Sequence, residues 1–193
     1  WTQVNDGAFG LGDPSNQTPP YQSEDGFEVA VFDDQLYVGM EADDQYGARV
    51  WRTKAGVTIP TSQADWEQVV DDAFGDVSNN DHIDSLEPFG GYLYASTAQK
   101  DASHDGTEVW RSSSGAKGSW VQVNDDGFGD ANNENFKDMV VFTVGSTDWL
   151  CGGTLNNAAG AQVWCTDGTF DGGGPKLKWV QKNQNGFGDP KYV

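Results

Sequence analysis

Basic residues are scarce in this chain. Eleven Lys and Arg stand against 30 Asp and Glu among 193 residues, for a net charge of −19. That shortage excludes a nucleic-acid binder, whose phosphate contacts need clustered Lys and Arg. It also weighs against an anionic membrane surface. Long apolar runs are missing, and none approaches the roughly 20 residues of a membrane-spanning helix. No segment carries helical periodicity over three turns, which excludes a helical solenoid. Histidine is limited to His82 and His104, arginine to Arg49, Arg52 and Arg111, and cysteine to a single pair. The chain opens on Trp1 with no signal-peptide pattern, as expected of a processed form or a fragment.

What is present points to β-structure. Aromatics make up 12% of the residues, with eight Trp, so this is no disordered acidic tail. Glycine is abundant, at 25 residues. Of the acids, 23 are Asp and 7 are Glu. Asp favours turns and Glu favours helices, so most of the charge belongs in loops. A solvated acidic surface, cation-binding loops and adaptation to high salt all remain open.

The sequence repeats itself. WTQVNDGAFG from Trp1, WEQVVDDAFGD from Trp66, WVQVNDDGFGD from Trp120 and WVQKNQNGFGD from Trp179 are copies of one phrase, spaced 65, 54 and 59 residues apart. A second phrase alternates with it: ARVWRT at 48–53, TEVWRS at 107–112 and AQVWCT at 161–166. Each unit holds four short β-type runs between Gly, Asp, Asn and Ser turns. The first set falls at 27–32, 36–41, 48–53 and 66–70, and the second at 86–89, 92–97, 107–111 and 119–123. Four antiparallel strands per unit of this length are the pattern of a β-propeller blade. The expected fold is all-β: three blades, at about 24–70, 84–123 and 138–183, plus an extra strand at 1–5, in one segment spanning 1–193. The recurring Trp residues read as core between blades. Phe9, Phe74, Phe128 and Phe187 read as loop anchors plugged into that core.

Aligning the units puts Tyr37, Tyr94 and Cys151 at one position and Arg52, Arg111 and Cys165 at another. Two units carry Tyr with Arg, and the third carries two Cys. Joint replacement suggests that the positions face each other across a hairpin, close enough for a disulfide. Two buried free thiols are the alternative. A disulfide implies an oxidising compartment, and the sequon Asn16-Gln17-Thr18 marks Asn16 as a glycosylation candidate.

The turns WRSSSGAKGSW at 110–120 and WCTDGTFDGGGPKLKW at 164–179 resemble the Asp-box of BNR-type, sialidase-like propellers. That motif, Ser/Thr-x-Asp-x-Gly-x-Thr-Trp, sits in the same turn of a four-stranded blade. Here it is degenerate: Ser114 stands where Asp belongs, and RTKAGVTIPTSQADW in the first unit lacks it. The chain is also similar to uncharacterised secreted repeat proteins built from GTEVWR and W-x-QVN-x-DGFGD phrases. The resemblance implies a propeller and does not supply a function.

A sialidase-like site needs an arginine cluster, yet two of the three Arg share one repeat position and read as structural. His82 and His104 fall in Asp-rich stretches with no Ser or Cys motif beside them, so nucleophilic catalysis has no visible basis. Among 30 acids a glycosidase pair of carboxylates stays open. The best metal candidate is the loop 124–130, where Asn124, Asp126 and Asp130 with the Phe128 carbonyl approximate a calcium loop. It resembles the N-x-D-G-x-x-D tail of calcium loops in FG-GAP propellers, with Gln122 where those have Asp. The plain reading of that loop is an Asx-turn closed by side chain to backbone bonds, and calcium is the candidate cofactor as the alternative to it.

The function expected from these features is a non-enzymatic extracellular propeller module with a structural or adhesive role. It would be completed by self-association or by further blades of the same chain. The alternative is a carbohydrate-binding, lectin-like propeller, and after it a degenerate glycosidase-like enzyme. Glycans are the candidate ligands.

Overall fold

The computed structural model describes residues 2–4, 28–41, 47–99 and 105–192. Trp1, Asn5, Phe9, Asn16 and His104 lie outside the described residues. Among the described residues, twelve strands form three four-stranded antiparallel sheets, each in chain order. The first holds β1 (Glu28–Phe32), β2 (Gln35–Met40), β3 (Arg49–Thr53) and β4 (Trp66–Val70). The second holds β5 (Asn80–Phe89), β6 (Tyr92–Gln99), β7 (Val109–Ser112) and β8 (Val121–Gln122). The third holds β9 (Asn135–Val144), β10 (Thr147–Leu155), β11 (Val163–Thr166) and β12 (Val180–Gln181). This is the blade architecture that the repeat predicts. The sheets stand side by side, with β1 against β5 and β5 against β9, so the first strand of each sheet lies where neighbouring sheets converge.

Three strands differ from expectation. β5 begins at Asn80, well before the apolar run at Leu86, because β6 continues to Gln99 and offers it a partner. Its polar residues find acceptors and donors: the Asn80 amide donates to Ala73 O at 3.0 Å and accepts from Thr97 Oγ1 at 2.7 Å. The fourth strands shrink to two residues in β8 and β12, which pair on one side only.

Blade-to-blade packing supplies the core. Ile83, Leu86 and Leu93 of the second sheet pack with Tyr37, Val50, Val69 and Val70 of the first. Phe136, Met139 and Leu150 of the third pack with Phe89, Tyr94, Val109 and Val123 of the second. The first contact is close: a Cβ on Gly39 would lie 2.6 Å from Ile83 Cγ2, so only glycine fits. The repeated Trp and Phe join the same seams. Phe74 stacks on Trp110 and Phe128 on Trp164, both at 4.9 Å between ring centroids. Each Phe adopts a left-handed backbone (φ 61° and 57°), a conformation costing about 1–3 kcal/mol that the ring contacts offset. Phe187 keeps the backbone (φ 53°) but is 71% exposed, so it anchors nothing in this array. At the open flanks Val29, Val31, Val140 and Phe142 also face solvent.

Residues 2–4 lie against the first sheet. Val4 O accepts from Trp66 Nε1 at 3.2 Å, as Val123 O accepts from Trp179 Nε1 at 3.1 Å. They occupy the place that the end of the second sheet holds beside the third.

Cys151 and Cys165 are directly opposed on β10 and β11 and are disulfide-bonded. The matching pairs Tyr37–Arg52 and Tyr94–Arg111 face each other in the other sheets. There Arg52 Nη1 reaches Ser114 O of the second sheet at 2.9 Å, and Arg111 lies 4.9 Å from the Phe170 ring of the third. Both arginines thus reach the neighbouring blade, whereas the disulfide ties two strands within the third sheet.

Candidate functional site

The first strands converge, and their polar residues converge with them. Four residues before the repeated Phe32, Phe89 and Phe142 stand Glu28, Ser85 and Asp138. Bulges in β5 fall at Asp81 and Asp84, and a register shift in β9 accommodates Asp138, whose φ of 52° is left-handed. Bulges re-aim side chains and recur beside functional sites.

Asp84 is almost wholly buried and fully engaged. Its carboxylate accepts from Asn135 Nδ2 at 2.9 Å and from the Phe136 backbone N–H at 3.2 Å, both on the third sheet. His82 Nε2 lies 3.2 Å from its other oxygen, and His82 Nδ1 lies 3.4 Å from Asp81. Burial opposes a charge on His82, but the hydrogen bonds and charges of Asp81 and Asp84 outweigh it and raise the imidazole to about 10. His82 is therefore an imidazolium clasped by two carboxylates, placed on a strand rather than in a loop. Glu28 is raised above the usual carboxylate range, first by burial and then by the charges of Asp138 and Asp84. Glu28 on the first sheet thus senses the charges of carboxylates on the second and third sheets.

Glu41, Asp81 and His82 bring ligand atoms within 4.8 Å of one another and could hold a cation. For His82 to ligate one, it must first release the proton that its neighbours hold in place.

The residues expected to bind calcium are used otherwise. Asn124 Oδ1 accepts from Val109 N at 2.7 Å, and its amide donates to Thr107 O at 3.1 Å. Asp126 takes the Gln122 amide at 2.5 Å, and Asp130 takes the Asn132 N–H and the Asn156 amide. Phe128 turns its ring onto Trp164. The structure brings these residues into one turn, with the side-chain oxygens directed to protein donors.

Glu28, Asp84 and Asp138 escaped the sequence reading. In a chain with 30 acids they have no contrast, and Asp81–Asp84 reads as loop. The one signal that could have found them is the shared position of Glu28 and Asp138 before the repeated Phe.

No family model and no curated protein matches the chain. Solved structures similar to it include the GH32 beta-fructofuranosidase of Bombyx mori (TM-score 0.47, 11% identity, 86% of this chain and 39% of that one). They also include an endo-arabinase of Bacteroides thetaiotaomicron (0.44, 14%, 78% and 54%). A third is a thermostable family-43 glycoside hydrolase (0.45, 15%, 82% and 53%). The chain thus spans 39% to 54% of their lengths. The likeness is one of propeller-type fold, and an Asp-box family gains no match. The expected non-enzymatic structural or adhesive module is corrected by this finding: the solved structures that the chain resembles are enzymes by name, a beta-fructofuranosidase, an endo-arabinase and a glycoside hydrolase, and give that reading no support.

Proposed function

We propose that this chain is part of an extracellular, glycan-binding β-propeller whose first-strand carboxylates take sugar hydroxyls. The observation that carries the reading is the convergence of Glu28, Asp84 and Asp138 from three sheets, with Glu28 raised by burial and by both neighbours. Carboxylates accept hydrogen bonds from adjacent hydroxyls, and Asp138 is exposed and Glu28 partly so, while the buried Asp84, held by Asn135 and Phe136, acts on Glu28 through its charge. The Cys151–Cys165 bond supports an oxidising, extracytosolic location.

A second reading rests on Glu28 itself. A carboxyl group that holds its proton more tightly beside other carboxylates is an arrangement used to cleave glycosidic bonds, one group donating a proton and the other acting on the anomeric side. Glu28 would be the acid, with the exposed Asp138 as its partner.

One experiment separates the readings. The protein is applied to an array of arabino-, fructo- and xyloglucan oligosaccharides and, in parallel, incubated with the corresponding polysaccharides while reducing ends are counted. Binding without release is the expected result. Release of reducing ends favours the catalytic reading, and neither binding nor release overturns both.

A further inference from the structure

The repeat builds a second kind of concavity, away from the first strands. Between the second and third sheets lies a cleft of about 360 Å³ lined by Asp125, Phe128, Trp164, Lys176 and Trp179. Between the first and second sheets the same residue types recur around a smaller cleft of about 180 Å³: Asp71, Phe74, Trp110, Lys117 and Trp120. In both, a Lys from the turn before a fourth strand pairs with an Asp from the preceding sheet's Phe-Gly turn. The turns that supply Lys117 and Lys176 differ in length and composition, yet both deliver an ammonium to the same place.

We infer that the larger cleft is a binding site for a neutral saccharide unit. This rests on the glycan-binding reading and adds a site to it. Its volume falls within the roughly 300–1,000 Å³ of small-molecule sites, whereas the smaller cleft falls below that range. Its chemistry suits a sugar: aromatic rings for the C–H face, a carboxylate to accept hydroxyl protons and an ammonium to donate to hydroxyl oxygens. Lys176 and Asp125 are 42% and 73% exposed. Such a surface ion pair is weakly held and yields readily to ligand hydroxyls. Asp125 and Asp171 outnumber Lys176 in the lining, and the whole chain carries −19, which favours a neutral ligand over an acidic one. The ring faces are partly used, since Phe128 stacks on Trp164 and meets Trp179 edge-on at 5.3 Å. The remaining ring surface forms the wall of the cleft. In the smaller cleft the Trp120 indole N–H has no acceptor among the described residues, while its counterpart on Trp179 is bound to Val123 O.

The test uses the same three oligosaccharide classes on an array. The double variant Asp125→Asn with Lys176→Gln is compared with the wild type and with Lys191→Gln, an exposed control, after circular dichroism has shown equal folding. At least about tenfold weaker binding by the double variant, with the control unchanged, is the expected result. Unchanged binding by the double variant overturns the cleft site and leaves the first-strand site standing. No binding by the wild type overturns the glycan reading and the cleft with it.

Discussion

At the residue scale, His82 is the most informative side chain. Composition placed it in an Asp-rich loop, because Asn79–His82 carries no apolar residue and reads as a turn. Pairing with the long β6 made it strand, and tertiary contacts overrode local propensity. Its surroundings are acidic: Asp81 and Asp84 hold the ring, and Glu41 stands beside Asp81. A histidine raised from 6.5 to about 10 stabilises the fold through its charged form. That contribution is complete below about pH 6.5 and disappears as pH rises through 10. Thermal unfolding of the wild type and of His82→Gln, followed from pH 6 to 10.5, checks it. The gap in melting temperature should narrow toward pH 10.5, and a gap constant over that range would contradict the imidazolium assignment. Glu28 and Asp138 show a different limit of the sequence. Their type was visible, but their convergence depends on how three sheets pack, which no local pattern encodes.

At the scale of the element, much was legible. Alternation, turn residues and repeated phrases gave the strands of the first sheet within a residue or two, because there the apolar pattern and the hydrogen-bonding partner coincide. β5 failed for want of apolar residues, and β8 and β12 keep two residues each where β4 keeps five. The hairpin of β10 and β11 was readable for a specific reason. Cross-strand positions covary within one chain when the repeat supplies the comparison, and Tyr–Arg against Cys–Cys set the pairing that the structure contains. The bond closes a separation of 14 residues, a loop for which cross-linking is worth about 3 kcal/mol. Urea unfolding of the wild type and of Cys151→Ala with Cys165→Ala should differ by about that amount. A difference near zero would mean that the third sheet is held by its neighbours and not by the bond.

At the scale of the whole molecule, three sheets aligned by their first strands turn weak local signals into a site. Glu28 comes from β1, Asp84 from β5 and Asp138 from β9, so none of the three sheets makes the site alone. The repeat explains part of this: Glu28 and Asp138 share one position in their blades, while Asp84 comes from the bulge beside the matching Ser85. The central claim is that this convergence is where a glycan is held. The most direct measurement is binding of Glu28→Gln with Asp138→Asn to the arabino-, fructo- and xyloglucan array, beside the wild type and with melting temperatures matched. The account predicts at least about tenfold weaker binding by the double variant. Wild-type binding that survives both substitutions undiminished would contradict it.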